Sequence, residues 1–151
     1  MITIEKTLKV STKLPLSTSI LLNIIHTRNV ISDTFLEMIK PYGISEEQFN
    51  VLRILKGQKG NPINMSTIQE RMLSKNSNTT RLIDKLLIKD LVTRNVNPKN
   101  RRKVEITITN KGLELLTLLN PQVIIHHDHF FRHLTPEEQK QLKALLEKIR
   151  N

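Results

Sequence analysis

The residues that could do chemistry in this chain are concentrated between Ser74 and Gly112. Lys75, Arg81, Lys85, Lys89, Arg94, Lys99, Arg101, Arg102 and Lys103 lie there, against the carboxylates Asp84, Asp90 and Glu105. Such a run suits a polyanion, and its internal order suits duplex DNA. Asn76, Ser77, Asn78, Thr79, Thr80 and Arg81 crowd what reads as the first turn of a helix. Backbone N–H groups at a helix start favour phosphate, and short polar side chains there can reach base edges. Arg81 is the candidate for two-pronged readout of guanine in the major groove, with Lys85 on phosphate. Lys99, Arg101, Arg102 and Lys103 fall at a hairpin tip, where Arg101 or Arg102 suits a narrow, A/T-rich minor groove. The plain alternative is a solvated charged face. It weighs most for Lys85 and Lys89 and least for Arg101 and Arg102, because two arginines at a hairpin tip have no core to serve. Thr79 and Thr80 could equally be simple helix-start residues.

These side chains need a frame, and hydrophobic periodicity supplies one. From Leu16 to Lys40 the residues Ile20, Leu21, Ile24, Ile25, Ile31, Phe35, Met38 and Ile39 recur at helical spacing until Pro41-Tyr42-Gly43 stops them. Two adjacent faces of this helix are apolar, so something beyond its own lobe should bury it. Ser45 and Gln48 form a capping box for a helix to about Lys56, with Phe49, Leu52 and Leu55 inward. Ile63 is extended, and Asn64 caps a helix through about Leu73. Asn76 or Ser77 starts the next helix. Leu82, Ile83, Leu86 and Leu87 line its inner side, and Asn78, Arg81, Lys85 and Lys89 form an adjoining polar stripe. Two consecutive helices of this kind make a helix-turn-helix. Asp90 falls where that helix should end in a left-handed residue. Val92 to Asn97 and Val104 to Thr109 read as the strands of a hairpin, the wing of a winged helix. Thr109 caps a further helix, Pro121 marks a kink, and the helix resumes to His133. Thr135 and Glu138 cap a last helix with Leu142, Leu145, Leu146 and Ile149 inward. Residues 1–15 read as an arm with weak structure of its own, ending at Pro15.

The histidines His126, His127, His129 and His133 form a second cluster. His129 and His133, four apart, could share a helix face and hold a metal such as zinc. The commoner outcome is a polar helix end that titrates near neutrality. No Gly-rich phosphate loop, Gly-x-Ser-x-Gly turn or His-Glu-x-x-His helix is present, so neither an enzyme nor a cofactor is expected.

Composition sets the outer bounds. The chain of 151 residues carries a formal charge of +10 and a pI near 10.1. It has no cysteine, which excludes disulfides and thiolate chemistry. No apolar run approaches a membrane span and no signal-peptide pattern opens the chain, which predicts a cytoplasmic protein. Tyr42 and four Phe are the aromatic residues, too few for stacking platforms on single strands.

With these elements in order, the chain resembles the MarR-type transcriptional regulators. The resemblance rests on Ile44-Ser45 with Gln48 to Leu55, on Thr80-Arg81-Leu82 with Leu86, and on Leu91-Val92-Thr93-Arg94. Its most specific part is Asn100-Arg101-Arg102 followed by Ile108-Thr109-Asn110-Lys111-Gly112. It implies a mainly α fold with a small β-hairpin (α+β): a winged helix-turn-helix DNA-binding lobe over 45–109, and a helical dimerisation region over 16–44 and 110–151. It also implies a homodimer on a pseudo-palindromic operator of double-stranded DNA, most simply as a repressor, with half-sites ~34–36 Å apart. A small aromatic or anionic ligand between the dimerisation helices and the DNA lobe would follow, with His26, Arg28 and Tyr42 as candidate pocket residues beside plain structural roles for each. Asn100 stands where the family usually has Asp, and Asp90 where it often has Gly. Asn100 can hydrogen-bond a wing arginine but cannot supply charge. The competing readings are a sequence-tolerant architectural DNA-binding protein, a metal-responsive regulator using His126 to His133, and a membrane-surface or protein-interaction module.

Overall fold

A computed structural model describes residues 3–97 and 100–151, with only the backbone of Asn97 and of residues 100–103. The chain folds as α1 (Ile4–Thr7), α2 (Leu16–Ile39), a 3-10 turn (Lys40–Tyr42), α3 (Glu46–Lys56), β1 (Ile63–Asn64), α4 (Met65–Arg71), α5 (Thr79–Ile88), β2 (Val92–Asn97), β3 (Asn100–Ile108), α6 (Asn110–Phe131) and α7 (Pro136–Ile149). It is mainly helical with one small antiparallel sheet in the order β1-β3-β2.

Local sequence explains most of the boundaries. The Ser45 hydroxyl accepts from the Gln48 N–H at 3.2 Å, and the Gln48 side chain accepts from the Ser45 N–H at 2.9 Å. Thr135 and Glu138 repeat the exchange at the start of α7. Each box satisfies helix-start groups that would otherwise lack a partner. Gly43 closes the 3-10 turn at φ 66°, and Asp90 follows α5 at φ 58°. Asp90 there lets the Leu91 N–H return to the Leu86 carbonyl at 3.0 Å. A short polar side chain tolerates this left-handed geometry at modest cost.

Several boundaries differ from the sequence reading. The arm carries one helical turn, α1, capped by Thr3, with Ile4 buried against α2. α4 ends at Arg71, leaving Met72 extended and buried and Leu73 exposed. β3 begins at Asn100 rather than Val104, because its pairing with β2 carries past a register irregularity at Val96/Asn97. α6 runs continuously across Pro121.

The core lies inside the lobe formed by α3, α4, α5, the sheet and the base of α6. Val51, Leu52, Ile68, Ile83, Leu86, Ile106, Leu116 and Leu119 are fully enclosed there. Ile106 on β3 faces Ile63 on one side and Arg94 on the other, so the middle strand carries the sheet's apolar contact with the helices. The end of α5 is sewn to the start of α6. Thr109 Oγ1 donates to the Asp90 carbonyl at 2.7 Å, the Thr109 N–H donates to the Leu91 carbonyl at 3.1 Å, and Lys111 Nζ donates to the Lys89 carbonyl at 2.8 Å. Gly112 completes this joint. A Cβ there would press into the Leu91 carbonyl oxygen and stand 2.7 Å from Ile108 Cγ1.

Outside the lobe the packing is different in kind. α2 buries only Phe35 and Ile39, and α7 buries nothing. Leu16, Ile20, Leu21, Ile24 and Ile25 on α2, Ile124 and Ile125 on α6, and Leu145 and Ile149 on α7 are exposed. No helix among the described residues is long and apolar enough to cross a membrane.

Candidate nucleic-acid interface

α5 is held by its apolar side and offers its polar side. Ile83 and Leu86 are buried, while Thr80, Arg81 and Lys85 are exposed. Its N-cap is Asn78, whose Oδ1 accepts from the Arg81 N–H at 3.0 Å. Asn76 and Ser77 therefore lie in the turn before the helix and do not start it, as the cap had seemed free to do from sequence alone. Ser77, Asn78, Arg81 and Lys85 line one shallow groove with Ser45 and Glu47 from the start of α3. Neither Arg81 nor Lys85 forms an ion pair among the described residues. Both cations remain available to an external anion.

Thr79 requires a correction. Counted with the DNA-contacting row by sequence, it is only 6% exposed and its hydroxyl donates to Oε1 of Gln69 on α4. A buried hydroxyl must find an internal acceptor, so this side chain faces inward rather than toward a base.

The hairpin follows α5 directly and its first strand packs against that helix. Arg94 on β2 reaches back to Asp84 on α5 at 2.8 Å, and Thr93 and Thr107 share a hydroxyl contact at 2.6 Å across the strands. Arg94 and Asp84 are 35% and 49% exposed, so water screens the pair and it contributes at most ~1 kcal/mol. Its role is orientation, since it ties the wing's first strand to the polar helix. Arg101, Arg102 and Lys103 lie on β3, with side chains outside the described residues, and Lys99 lies outside them altogether. The set of the wing arginines and the part played by Asn100 fall with them.

The candidate pocket residues are not brought together. His26 is exposed on α2. Arg28 lines a cleft with Glu46, Glu47, Asn50 and Leu73, whereas Tyr42 lines a separate one with Lys89 and Lys111. The Tyr42 hydroxyl accepts from the Gln122 side chain at 2.9 Å. A smaller cleft of about 160 Å³ between α2, α3 and α6, which the sequence did not reveal, is lined by Ile31, Phe35, Phe49, Arg53 and His127 among others. It shares Glu46, Asn50 and Leu73 with the Arg28 cleft. Phe35 and Phe49 meet edge to face at 5.4 Å and had been read only as core. The exposed Arg53 beside two aromatic rings was the available signal.

The histidines are distributed along the end of α6 and beyond it. α6 ends at Phe131, so His133 leaves the helix and cannot share a face with His129. Among the described residues no three His, Asp or Glu side chains converge. His126 instead bonds Thr34 Oγ1 at 2.9 Å and packs against Phe35 and Phe130. The Thr34 hydroxyl already lies 3.0 Å from the Val30 carbonyl, so it donates there and accepts from the His126 Nε2–H. Nδ1 is then the deprotonated nitrogen, buried with no hydrogen-bond partner among the described residues. Burial lowers this imidazole's pKa below its usual 6.5, and His127 and His129 push the same way. Stability is therefore complete above that value and declines below it, where the unfolded chain takes the proton first. The melting temperature should fall between roughly pH 7.5 and 5.5, and fall less in His126→Gln. Equal slopes in the two proteins would contradict this assignment.

A family model described as the MarR family matches residues 44–104. The chain is 32% identical over 118 residues to the uncharacterized HTH-type transcriptional regulator YkoM of Bacillus subtilis, covering 78% of this chain and 75% of that protein. It is 28% identical to the transcriptional repressor MprA of Escherichia coli K12, over 82% and 70% of the two chains. Among solved structures it superposes on BpsR of Bordetella bronchiseptica, described for regulation of its DNA binding by 6-hydroxynicotinic acid. The TM-score is 0.80 at 21% identity, over 93% of this chain and 99% of that one, a likeness of fold.

Proposed function

The chain belongs to the MarR family of transcriptional regulators, and on that premise we propose that it is a homodimeric repressor released from a pseudo-palindromic operator by a small ligand. The observation that carries the DNA reading is the start of α5, where Asn78, Thr80, Arg81 and Lys85 stand together on the surface with no internal ion pair among the described residues. Thr80 and Arg81 are within reach of base edges in a major groove. Asn76, Ser77 and Lys85 are assigned to phosphate, and Lys99, Arg101, Arg102 and Lys103 are assigned to the same duplex by their charge in the sequence. The exposed apolar residues of α2, α6 and α7 support the dimer, because a single chain leaves that surface in water. In this reading 16–44 and 110–151 form the dimerisation region and 45–109 the DNA lobe.

The Phe35–Phe49 cleft supports an effector with an aromatic ring and an anionic group. Its rings suit an aromatic body, and Arg53 suits a carboxylate. The relative regulated by 6-hydroxynicotinic acid supports the same ligand class. MprA, a repressor, supports the direction of control. Such a ligand weakens DNA binding only by its differential affinity for the two lobe arrangements.

Selection from a random duplex library tests the whole reading. The expected product is an inverted repeat with half-sites ~34–36 Å apart, bound at least ~1000-fold more tightly than random duplex at fixed salt. Sedimentation should give a dimer, and 6-hydroxynicotinic acid used as a probe should weaken the complex. A ratio near one would replace this reading with a sequence-tolerant architectural role.

A further inference from the structure

We propose that Gln69 is a positioning residue for sequence readout: through Thr79 and Lys75 it sets how the reading end of α5 is presented to DNA. The inference rests on the DNA-reading role proposed above.

Gln69 lies on α4, beside the fully buried Ile68. Both ends of its amide are engaged. Oε1 accepts from the Thr79 hydroxyl, and Nε2 donates to the Lys75 carbonyl at 2.7 Å. Lys75 Nζ in turn donates to the Glu70 carbonyl. One side chain thus holds the turn between the two helices at its middle and at its far end. Gln48 and Thr79 are the buried polar residues among the described ones, and Thr79 is the one at the start of the reading helix. Its enclosure makes the contact obligatory, since a buried hydroxyl without an acceptor is costly.

Position makes the contact consequential. Thr79 is the first residue of α5 and stands between the cap Asn78 and the outward Thr80 and Arg81. The apolar residues Ile83 and Leu86 anchor the helix further along, but they do not by themselves fix its first turn, because the hydrophobic effect is not directional. A rotation of ~20° moves a point ~6 Å from the helix axis by ~2 Å. A hydrogen bond tolerates only about 0.5 Å of that. Phosphate grip from Lys85 and the hairpin is far more forgiving. Loss of Gln69 should therefore erode discrimination between sequences and leave non-specific grip in place.

The test measures binding of wild type, Gln69→Leu, Thr79→Val, the double variant, Thr79→Ser and Gln69→Glu to the selected operator and to a scrambled duplex. Two salt concentrations are used, at a temperature where circular dichroism shows each protein folded. Gln69→Leu and Thr79→Val should each lower the operator-to-scrambled ratio about tenfold, and the double variant no further, because the two share one interaction. Scrambled-duplex affinity and its salt slope should stay at wild-type values. Thr79→Ser, which keeps the hydroxyl, should retain the ratio. Gln69→Glu, which keeps the acceptor but opposes an oxygen to the Lys75 carbonyl, should lose part of it. Unchanged ratios in Gln69→Leu and Thr79→Val, additive losses, or equal losses on both duplexes would overturn the inference. Should Gln69→Leu fail to fold, the contrast between Thr79→Val and Thr79→Ser decides alone. A wild-type protein that selects no sequence overturns the DNA reading itself, whereas one that selects an operator equally well in every variant overturns only the role of Gln69.

Discussion

Arg81→Ala should lower affinity for the selected operator ~5- to 150-fold, the equivalent of ~1–3 kcal/mol, while binding to unrelated duplex changes by no more than about threefold. The asymmetry follows from geometry. Arg81 is exposed, forms no ion pair among the described residues, and has its backbone N–H fixed by the Asn78 cap at 3.0 Å. The cap anchors the root of the side chain and leaves the guanidinium to the groove. Arg81→Lys separates charge from shape, because an ammonium keeps the attraction to phosphate but lacks the planar fork. It should recover non-specific binding fully and operator binding only in part. Measured by fluorescence anisotropy at fixed salt, parallel losses on both duplexes would reduce Arg81 to a phosphate contact.

Gly112→Ala should destabilise the fold by ~1–3 kcal/mol. For a chain of this size that is a fall of roughly 3–10 °C in melting temperature, read by circular dichroism at fixed protein concentration. The cause is space, not backbone freedom. A methyl group there meets the Leu91 carbonyl oxygen and Ile108, and Leu91 belongs to the loop sewn to Thr109 and Lys111. Neither backbone can retreat without breaking that joint, so the cost cannot be relieved by turning a flexible side chain aside. A melting temperature within a degree of wild type would show that α6 can slide at its base.

These two residues also show how far the sequence could be read. The exposed place of Arg81 on α5 was legible because helix periodicity is local: the polar stripe and the apolar side are spaced by the helix itself. The capping boxes at Ser45 and Thr135, the left-handed Asp90, the order of helix-turn-helix and hairpin, and membership of the MarR family were legible for the same reason or from short motifs. Gly112 stood within a recognisable signature, but the close approach that requires it joins residues 21 positions apart, Leu91 and Gly112. The contact between Gln69 and Thr79 was hidden, and Thr79 fell in the DNA-contacting row, because nothing in their spacing reveals that a turn folds one onto the other. The Phe35–Phe49 cleft was hidden because an aromatic residue lining a cavity has the same periodicity as one filling a core. The start of β3 was misjudged because Asn100 to Lys103 are polar, whereas the strand is extended by the pairing of Asn100 with Asn97 past the register shift.

The unbroken course of α6 has a mechanical consequence. Its 22 residues span ~33 Å, about one repeat of the DNA helix. Its lower end is locked by Gly112 and Thr109 to the end of α5, and its upper end carries the Phe130 and His126 contacts beside the Phe35–Phe49 cleft. A rod clamped at one end converts tilt into travel. A tilt of ~5° about the upper end displaces the lower end by ~3 Å, more than a base contact can follow. On the proposed reading, an effector in that cleft would need neither to reach the DNA nor to reshape the lobe: tilting this rod would be enough to carry the start of α5 away from its base contacts.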